Sequence, residues 1–185
     1  KQLRKSKQSY NRKVKRLFMF FGSGDPFNLT ERFLRILLNP VFCNLKVDIV
    51  VGQSYRNLDS LKSLIEERPK TNLYIQVKDI AKIMIKTDLA IGSGGINTWE
   101  RMCLKIPTLI VSFSENQNIL TSDLFKHNMI DFLGFHLDID DDYILKSILK
   151  KINNIKNGLE NTASFDFVDG NGVDRIADEI SGFSS

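Results

Sequence analysis

The sequence predicts an α/β fold built on a doubly wound parallel sheet. Short apolar runs alternate with segments of helical spacing along most of the chain, as in consecutive βαβ units. The apolar runs are nearly continuous, which is typical of strands that are buried on both faces. With 185 residues, 42% of them hydrophobic, the chain is long enough for one domain with a full core.

Six apolar runs are predicted to be strands of this sheet, because they are short and almost free of polar residues. They cover residues 17–21, 47–51, 73–75, 89–91, 108–112 and 130–133. Seven further segments have the apolar spacing of helices. They cover residues 29–38, 58–67, 79–86, 98–104, 118–127, 140–155 and 172–181. The polar stretch 153–174 is predicted to lead to the last helix and not to form a separate domain.

Two helix starts carry signals of their own. Asp25-Pro26 precedes the first helix, which Asn28 or Thr30 can cap. The acidic cluster at residues 138–142 is typical of a helix N-terminus. It lacks the spaced oxygen ligands of a calcium loop, so no metal site is predicted there.

Positive charge is concentrated at the beginning of the chain. Eight of the 26 Lys and Arg residues precede Asp25, the first acid, although the net charge of the whole chain is only +4. Because Tyr10 is the sole aromatic residue of this leader and no basic face continues it, nucleic acid is not expected as a partner. No apolar run approaches the ~20 residues of a transmembrane helix, so we expect a cytoplasmic protein, with Cys43 and Cys103 as reduced thiols.

The segment from residue 88 to residue 101, DLAIGSGGINTWER, is the most informative of the chain. An apolar strand runs into a glycine turn and then into a helix. The glycines allow close approach to an anion and positive φ; they are Gly92, Gly94 and Gly95. Asn97 or Thr98 can cap the helix, whose free N–H groups face the same point. Glu100, in the first predicted turn, is placed to accept hydrogen bonds from a ribose.

Two further polar turns follow predicted strands. Gly22, Ser23, Gly24 and Asp25 follow the first strand, and the cluster 114–117 follows the fifth. In doubly wound sheets ligands bind beyond the carboxyl ends of strands, so the three turns favour a shared site over tight packing alone. Their spacing matches neither G-x-G-x-x-G nor G-x-x-x-x-G-K-[ST], so no dinucleotide cofactor and no P-loop are predicted.

These motifs resemble the C-terminal half of the nucleotide-sugar hydrolases of pseudaminic acid biosynthesis. The resemblance is carried by residues 20–26, 92–101, 106–107, 114–117 and 169–175, in that order. The bacterial N-acetylglucosaminyltransferases of peptidoglycan lipid synthesis share the glycine turn, the helix glutamate and the later glutamine. The resemblance implies a Rossmann-like domain at residues 17–185, the C-terminal half of a GT-B-type two-domain enzyme. Residues 1–16 are then a basic linker or leader, and the N-terminal domain is missing.

The resemblance also implies which residues bind UDP or a UDP-sugar. The diphosphate would contact Gly94, Gly95, Ile96, Asn97 and Thr98, and the ribose would contact Glu100. Phosphates or sugar would be approached by Gly22, Ser23, Gly24 and Asp25, and the sugar by Glu115, Asn116 and Gln117. The uracil would bond main-chain groups around Val77. The sequence departs from the family in the order of Ser23 and Gly24 and at Ile96, where a small hydroxyl residue is usual.

The implied reaction is attack of water on the anomeric carbon of a UDP-linked diacetamido-trideoxy sugar, with UDP as the leaving group. It requires a base and donors for the departing diphosphate. The family's base is a histidine of the missing domain, so no catalytic residue is predicted in this chain, and His127 is predicted to have a capping or surface role. The alternatives are a GT-B glycosyltransferase domain that uses a UDP-sugar donor, and a non-catalytic nucleotide-sugar binding module or partner-dependent subunit.

Overall fold

A computed structural model describes residues 13–160 and 167–182 of the chain. The predicted α/β fold is confirmed. The strands are β1 (Arg16–Phe20), β2 (Lys46–Val51), β3 (Thr71–Ile75), β4 (Leu89–Ser93), β5 (Thr108–Ser112) and β6 (Asp131–Phe135). The helices are α1 (Leu29–Ile36), α2 (Leu58–Glu66), α3 (Ala81–Met84), α4 (Ile96–Cys103), α5 (Glu115–Lys126), α6 (Asp141–Asn157) and α7 (Gly172–Gly182), with a 3-10 turn at Pro40–Phe42. Most of the predicted basic leader lies outside the described residues.

All six strands are parallel and follow the order β3-β2-β1-β4-β5-β6. The chain winds outward from β1 to β3 and then returns to place β4 on the other side of β1. Phe20, the last residue of β1, lies opposite Gly92 near the end of β4. Because winding reverses between these two strands, their carboxyl ends flank the crevice where doubly wound sheets bind ligands.

Both faces of the sheet are covered, which explains the continuous apolar runs. Leu17 and Met19 of β1, with Phe21 directly after it, belong to a core that also contains the buried faces of α1, α2 and α6. Phe18 belongs to a second cluster with Met84 of α3. A third cluster joins Met102 of α4 to α5. Helix α7 buries no residue, and within the described part of the chain no helix is long and apolar enough to cross a membrane.

Two helices begin earlier than predicted, and both differences affect the candidate site. Helix α5 begins at Glu115, after an extended Ser114 (φ −138°, ψ 155°), so residues 115–117 form its first turn and not a loop. An acidic residue is stabilised there by the helix dipole. Helix α4 begins at Ile96, because Gly95 is the last extended residue, and Glu100 therefore lies in the second turn and not the first.

Candidate functional site

The candidate site is the carboxyl edge of the sheet between β1 and β4. The segment that follows β1, residues 21–28, is called the β1 turn here. Gly94 and Gly95, which join β4 to α4, are called the β4 turn. The two turns follow neighbouring strands, so the two glycine segments predicted to share a site do meet at one edge.

The glycines of these turns are required for two different reasons. Gly22 has φ of +100°, which L side chains rarely adopt. The positive φ predicted for Gly92, Gly94 and Gly95 is wrong, since none of the three adopts the left-handed conformation and Gly95 is extended at φ of 166°. The reason at Gly94 is close packing: a Cβ there would lie 2.4 Å from Cγ2 of Thr121.

Main-chain N–H groups at the β4 turn are partly occupied by the fold. The amide of Gly94 donates to the carbonyl of Val111 at 3.3 Å. The amide of Gly95 donates to Oγ1 of Thr98 at 3.2 Å. The amides of Ile96 and Asn97 donate to no acceptor within the described residues. These two amides, at the positive end of the helix dipole, are the donors left for an anion.

Of the two residues predicted to cap α4, Thr98 does so and Asn97 does not. Its side chain is 1% exposed, because it turns back toward Gly95 from inside the helix. Asn97 instead donates from its side-chain amide to the carboxylate of Glu100. Asn97 and Glu100 are both partly exposed, so this pair is accessible to a ligand while Thr98 is not.

Arg101 received no role from the sequence, yet it lies directly beneath the β4 turn. Its side chain is 0% exposed, and its Nη2 donates to the carbonyl of Ser93 at 2.8 Å and to Oγ1 of Thr98 at 3.1 Å. Nε and Nη1 have no hydrogen-bond partner within the described residues. The signal in the sequence was the spacing from Thr98 to Arg101, which places both on the same face of a helix.

The β1 turn uses its carboxylate internally. Asp25 is 3% exposed and accepts hydrogen bonds from the amides of Leu29, at 2.9 Å, and Thr30, at 2.7 Å. The prediction that Asn28 or Thr30 caps α1 is therefore wrong, because the carboxylate of Asp25 is the acceptor for both amides. Asn28 is left-handed (φ 53°) and makes no capping hydrogen bond. Burial raises the pKa of Asp25, although the hydrogen bonds from Thr30 and Leu29 oppose this.

Ser23 and Gly24 are the more accessible part of the β1 turn. Ser23 is exposed, and its carbonyl accepts a hydrogen bond from the amide of Gly52 at 3.0 Å. A Cβ on Gly24 would lie 3.4 Å from Oγ of Ser54, which is an ordinary contact. The segment after β2 thus supports the β1 turn from outside and leaves Ser23 facing solvent.

The first turn of α5 reaches the β4 turn. Cβ of Gln117 lies 3.5 Å from the point where Gly94 would carry a Cβ. Oε1 of Gln117 accepts a hydrogen bond from the amide of Phe113 at 3.4 Å. Glu115 and Asn116 are exposed beside it. The structure therefore brings the predicted sugar-binding segment next to the predicted phosphate-binding turn.

Val77 follows β3, the outermost strand of the sheet, but does not stay beside that strand. It packs, half-buried, against the cluster that contains Phe18 and Phe20 of β1. The chain turns at Gln76, which has φ of 51°. Val77 consequently lies on the sheet face covered by α3, on the way from β3 to β4.

An aromatic group at the same sheet edge was missed in the sequence. His136 follows β6, is 6% exposed and has its ring centroid 4.2 Å from that of Phe27 in the β1 turn. Phe27 also lies 5.8 Å from Phe113. Burial, and to a lesser degree Arg32, lowers the pKa of His136. The available signal was its position directly after a strand. His127, by contrast, is exposed at the end of α5, with Nδ1 2.9 Å from the carbonyl of Asp123.

A cavity of about 170 Å³ lies elsewhere, at the amino ends of β5 and β6 and beneath α4. Lys151 lines it and pairs with Asp131 and Glu160. Thr98 also lines the cavity, but most of its lining lies at the amino ends of the strands, so we place the candidate site at the crevice and not in the cavity. Within the described residues, no group of three or more His, Cys, Asp or Glu side chains could hold a metal ion.

Comparison with solved structures supports the same description of the fold. The chain superposes on MurG of Acinetobacter baumannii with a TM-score of 0.73 at 14% identity, covering 97% of this chain and 52% of that one. It superposes on WaaG, a glycosyltransferase involved in lipopolysaccharide biosynthesis, with a TM-score of 0.66 at 14% identity, covering 98% and 50%. The chain has the Rossmann-like fold of a GT-B glycosyltransferase domain.

Similarity in sequence reaches two curated proteins. The chain is 29% identical over 122 residues to the uncharacterized protein MJ1062 of Methanocaldococcus jannaschii, covering 64% of this chain and 25% of that protein. It is 28% identical over 102 residues to the spore coat polysaccharide biosynthesis protein SpsG of Bacillus subtilis, covering 55% and 30%. The matches thus span less than a third of either relative's length. No protein-family profile matches the sequence.

Proposed function

We propose that this domain binds the nucleotide diphosphate of a UDP-sugar, as one half of an enzyme of glycan biosynthesis. The observation that carries the proposal is the meeting of the β1 and β4 turns at the point where the sheet reverses its winding. In this proposal residues 17–185 form the nucleotide-sugar-binding domain, and residues 1–16 connect it to an N-terminal domain. The similarity to a polysaccharide biosynthesis protein supports the glycan context.

The diphosphate is bound by the amides of Ile96 and Asn97, which have no other acceptor among the described residues. The amides of Gly94 and Gly95 shape the turn and do not donate to the ligand in this arrangement. Because no Cβ projects from Gly95 and its surroundings are open, a phosphate oxygen can approach the chain there. Ser23 reaches the phosphates from the opposite turn.

Glu100 binds the ribose hydroxyls. Its carboxylate is partly exposed one turn into α4, where it now accepts a hydrogen bond from Asn97. When the ligand binds, the ribose hydroxyls replace Asn97 on one carboxylate oxygen, which frees the Asn97 amide to donate to a phosphate. The uracil then extends toward Val77, and the sugar toward Glu115, Asn116 and Gln117.

The reaction proposed for the whole enzyme is hydrolysis of the UDP-sugar, with release of UDP and a free diacetamido-trideoxy sugar. Donors at the start of α4 stabilise the charge that develops on the departing diphosphate. The base that activates water belongs to the partner domain in this proposal. Hydrolysis is proposed because the motifs from residue 20 to residue 175 resemble, in the same order, those of the nucleotide-sugar hydrolases.

A GT-B glycosyltransferase is the second candidate, and the superposition on WaaG favours it. Transfer to an acceptor and transfer to water use the same donor site in this domain. The two functions are therefore distinguished by the other half of the enzyme, which holds the acceptor or the water.

Calorimetric titration of the chain with UDP, CDP and GDP tests the proposed site. We expect UDP to bind in preference to the other two nucleotides. Glu100→Ala removes a charged acceptor of two ribose hydrogen bonds and should weaken UDP binding about 10- to 100-fold. Glu66→Ala is the matched control, because Glu66 is an exposed carboxylate at the C-terminal end of α2, away from the crevice.

If Glu100→Ala leaves UDP binding unchanged, the nucleotide does not bind at the start of α4. Failure of all three nucleotides to bind at millimolar concentration would contradict the proposed function of this chain. Once the binding domain is established, release of free sugar in the presence and absence of an acceptor, measured with an N-terminal domain restored, separates hydrolase from transferase.

A further inference from the structure

Arg101 carries a buried charge that forms no direct ion pair within the described part of the protein. The guanidinium is 0% exposed and forms no ion pair with a carboxylate in that part of the chain. Two of its nitrogens, Nε and Nη1, lack a hydrogen-bond partner there. Burial lowers its pKa to about 10, with Glu100 opposing this, so the group remains charged at neutral pH. An isolated buried cation is costly unless a counter-charge approaches it.

The position of this charge points to a ligand. Nη1 lies 2.3 Å from the point where Gly92 would carry a Cβ, so the guanidinium fills the space beneath the end of β4. Nη2 bonds Ser93 on one side of the β4 turn and Thr98 on the other. Thr98 in turn accepts from the amide of Gly95. The cation therefore lies beneath the junction of β4 and α4, where the amides of Ile96 and Asn97 have no acceptor among the described residues.

We propose that Arg101 is a positioning residue that completes the electrostatic site for the diphosphate of the nucleotide, acting from beneath the β4 turn without touching the ligand. This inference rests on the proposed function and adds to it the source of the counter-charge. The bound diphosphate adds negative charge near Arg101, beyond the influence of Glu100, which forms no ion pair with it. Arg101 in return holds Ser93 and Thr98 so that both free amides face the same anion.

Two substitutions separate the charge of Arg101 from its shape. Arg101→Lys keeps a positive charge but loses the planar guanidinium that places Nη2 between Ser93 and Thr98, whereas Arg101→Gln keeps hydrogen-bonding capacity without charge. The ligands are UDP, inorganic pyrophosphate and uridine, titrated by calorimetry or NMR, with the fold of each variant checked by circular dichroism. Uridine reports the uncharged part of the site.

We expect Arg101→Gln to weaken UDP and pyrophosphate binding about 10- to 50-fold and to leave uridine binding unchanged. Arg101→Lys should retain most of the affinity for both anions. Equal loss of UDP binding in the two variants would show that Arg101 acts through geometry alone and would overturn the electrostatic role, as would unchanged UDP binding in Arg101→Gln. If Arg101→Gln does not fold, Arg101→Lys is the test. A ratio of UDP to uridine affinity close to that of the unsubstituted chain supports the electrostatic role, and a clearly lower ratio overturns it.

The result for the unsubstituted chain separates this inference from the proposed function. If UDP binds and the Arg101 variants retain it, only the role of Arg101 fails. If neither UDP nor pyrophosphate binds the unsubstituted chain at millimolar concentration, the nucleotide site fails and the inference fails with it.

Discussion

The β1 turn and the β4 turn lie side by side at the same sheet edge, but they use their polar groups in opposite ways. In the β1 turn the buried carboxylate of Asp25 satisfies two amides of α1. Beneath the β4 turn the buried guanidinium of Arg101 keeps two nitrogens unpartnered in the described chain. Directly after the β4 turn, the amides of Ile96 and Asn97 at the start of α4 also lack an acceptor among the described residues. The first turn is complete by itself, and the second has capacity left for an anion.

This difference shows how one sheet edge can combine a rigid wall with a binding surface. A helix N-terminus that a carboxylate has already capped offers little to a second anion, because its first amides are occupied. In α4 the capping oxygen belongs to Thr98, inside the helix, and it accepts from the amide of Gly95. The amides of Ile96 and Asn97 therefore keep no acceptor among the described residues. We therefore expect the β4 turn to dominate nucleotide binding and the β1 turn to hold the crevice open.

The largest effect is expected for Gly92→Ala, which disturbs the support of the β4 turn. The new Cβ would lie 2.3 Å from Nη1 of Arg101 and 2.4 Å from the main-chain carbonyl of Phe20. The carbonyl belongs to a paired strand and cannot move freely, so overpacking should lower the free energy of unfolding by about 2–3 kcal/mol. Denaturant unfolding followed by circular dichroism measures this.

Gly95→Ala is the matched control for that experiment. Gly95 is extended at φ of 166°, and no atom lies within 4 Å of its added Cβ. Stability should change by less than about 0.5 kcal/mol. Equal destabilisation by the two alanines would mean that the turn is not supported from beneath in the way the contacts of Gly92 indicate.

A smaller loss of stability is expected when the carboxylate of the β1 turn is removed. Asp25→Ala leaves the amides of Leu29 and Thr30 without their acceptor and should cost about 1–2 kcal/mol in unfolding free energy. Asp25→Asn retains one acceptor oxygen and should cost less. Asp59→Ala is the control, because Asp59 is an exposed acid in the first turn of α2, where the N-cap makes no side-chain hydrogen bond. A stability of Asp25→Ala equal to that of the control would refute the capping role.

The sequence predicted the sheet, the order of its elements and the meeting of the glycine turns, because these follow from apolar periodicity and from the chirality of parallel connections. It could not predict how each polar group is used. The predicted caps of α1 were Asn28 and Thr30, and nothing in the sequence showed that Asn28 is left-handed or that Asp25 accepts from the amides of Leu29 and Thr30. The burial of Arg101 depends on the close approach of Gly92, which no local pattern reveals.

The smallest expected effect concerns His136, which packs against Phe27 of the β1 turn. Because burial lowers its pKa in the folded state, the unfolded chain binds the proton more readily. The stability contributed by neutral His136 is fully present above the unfolded pKa of about 6.5 and is lost as the pH falls toward the lower folded value. His136→Phe keeps an aromatic ring against Phe27 without a titrating group. Thermal unfolding of both proteins from pH 8 to pH 5 should show a stability difference that shifts in favour of the variant as the pH falls; a constant difference would show that His136 titrates alike in both states and that the β1 turn is insensitive to its charge.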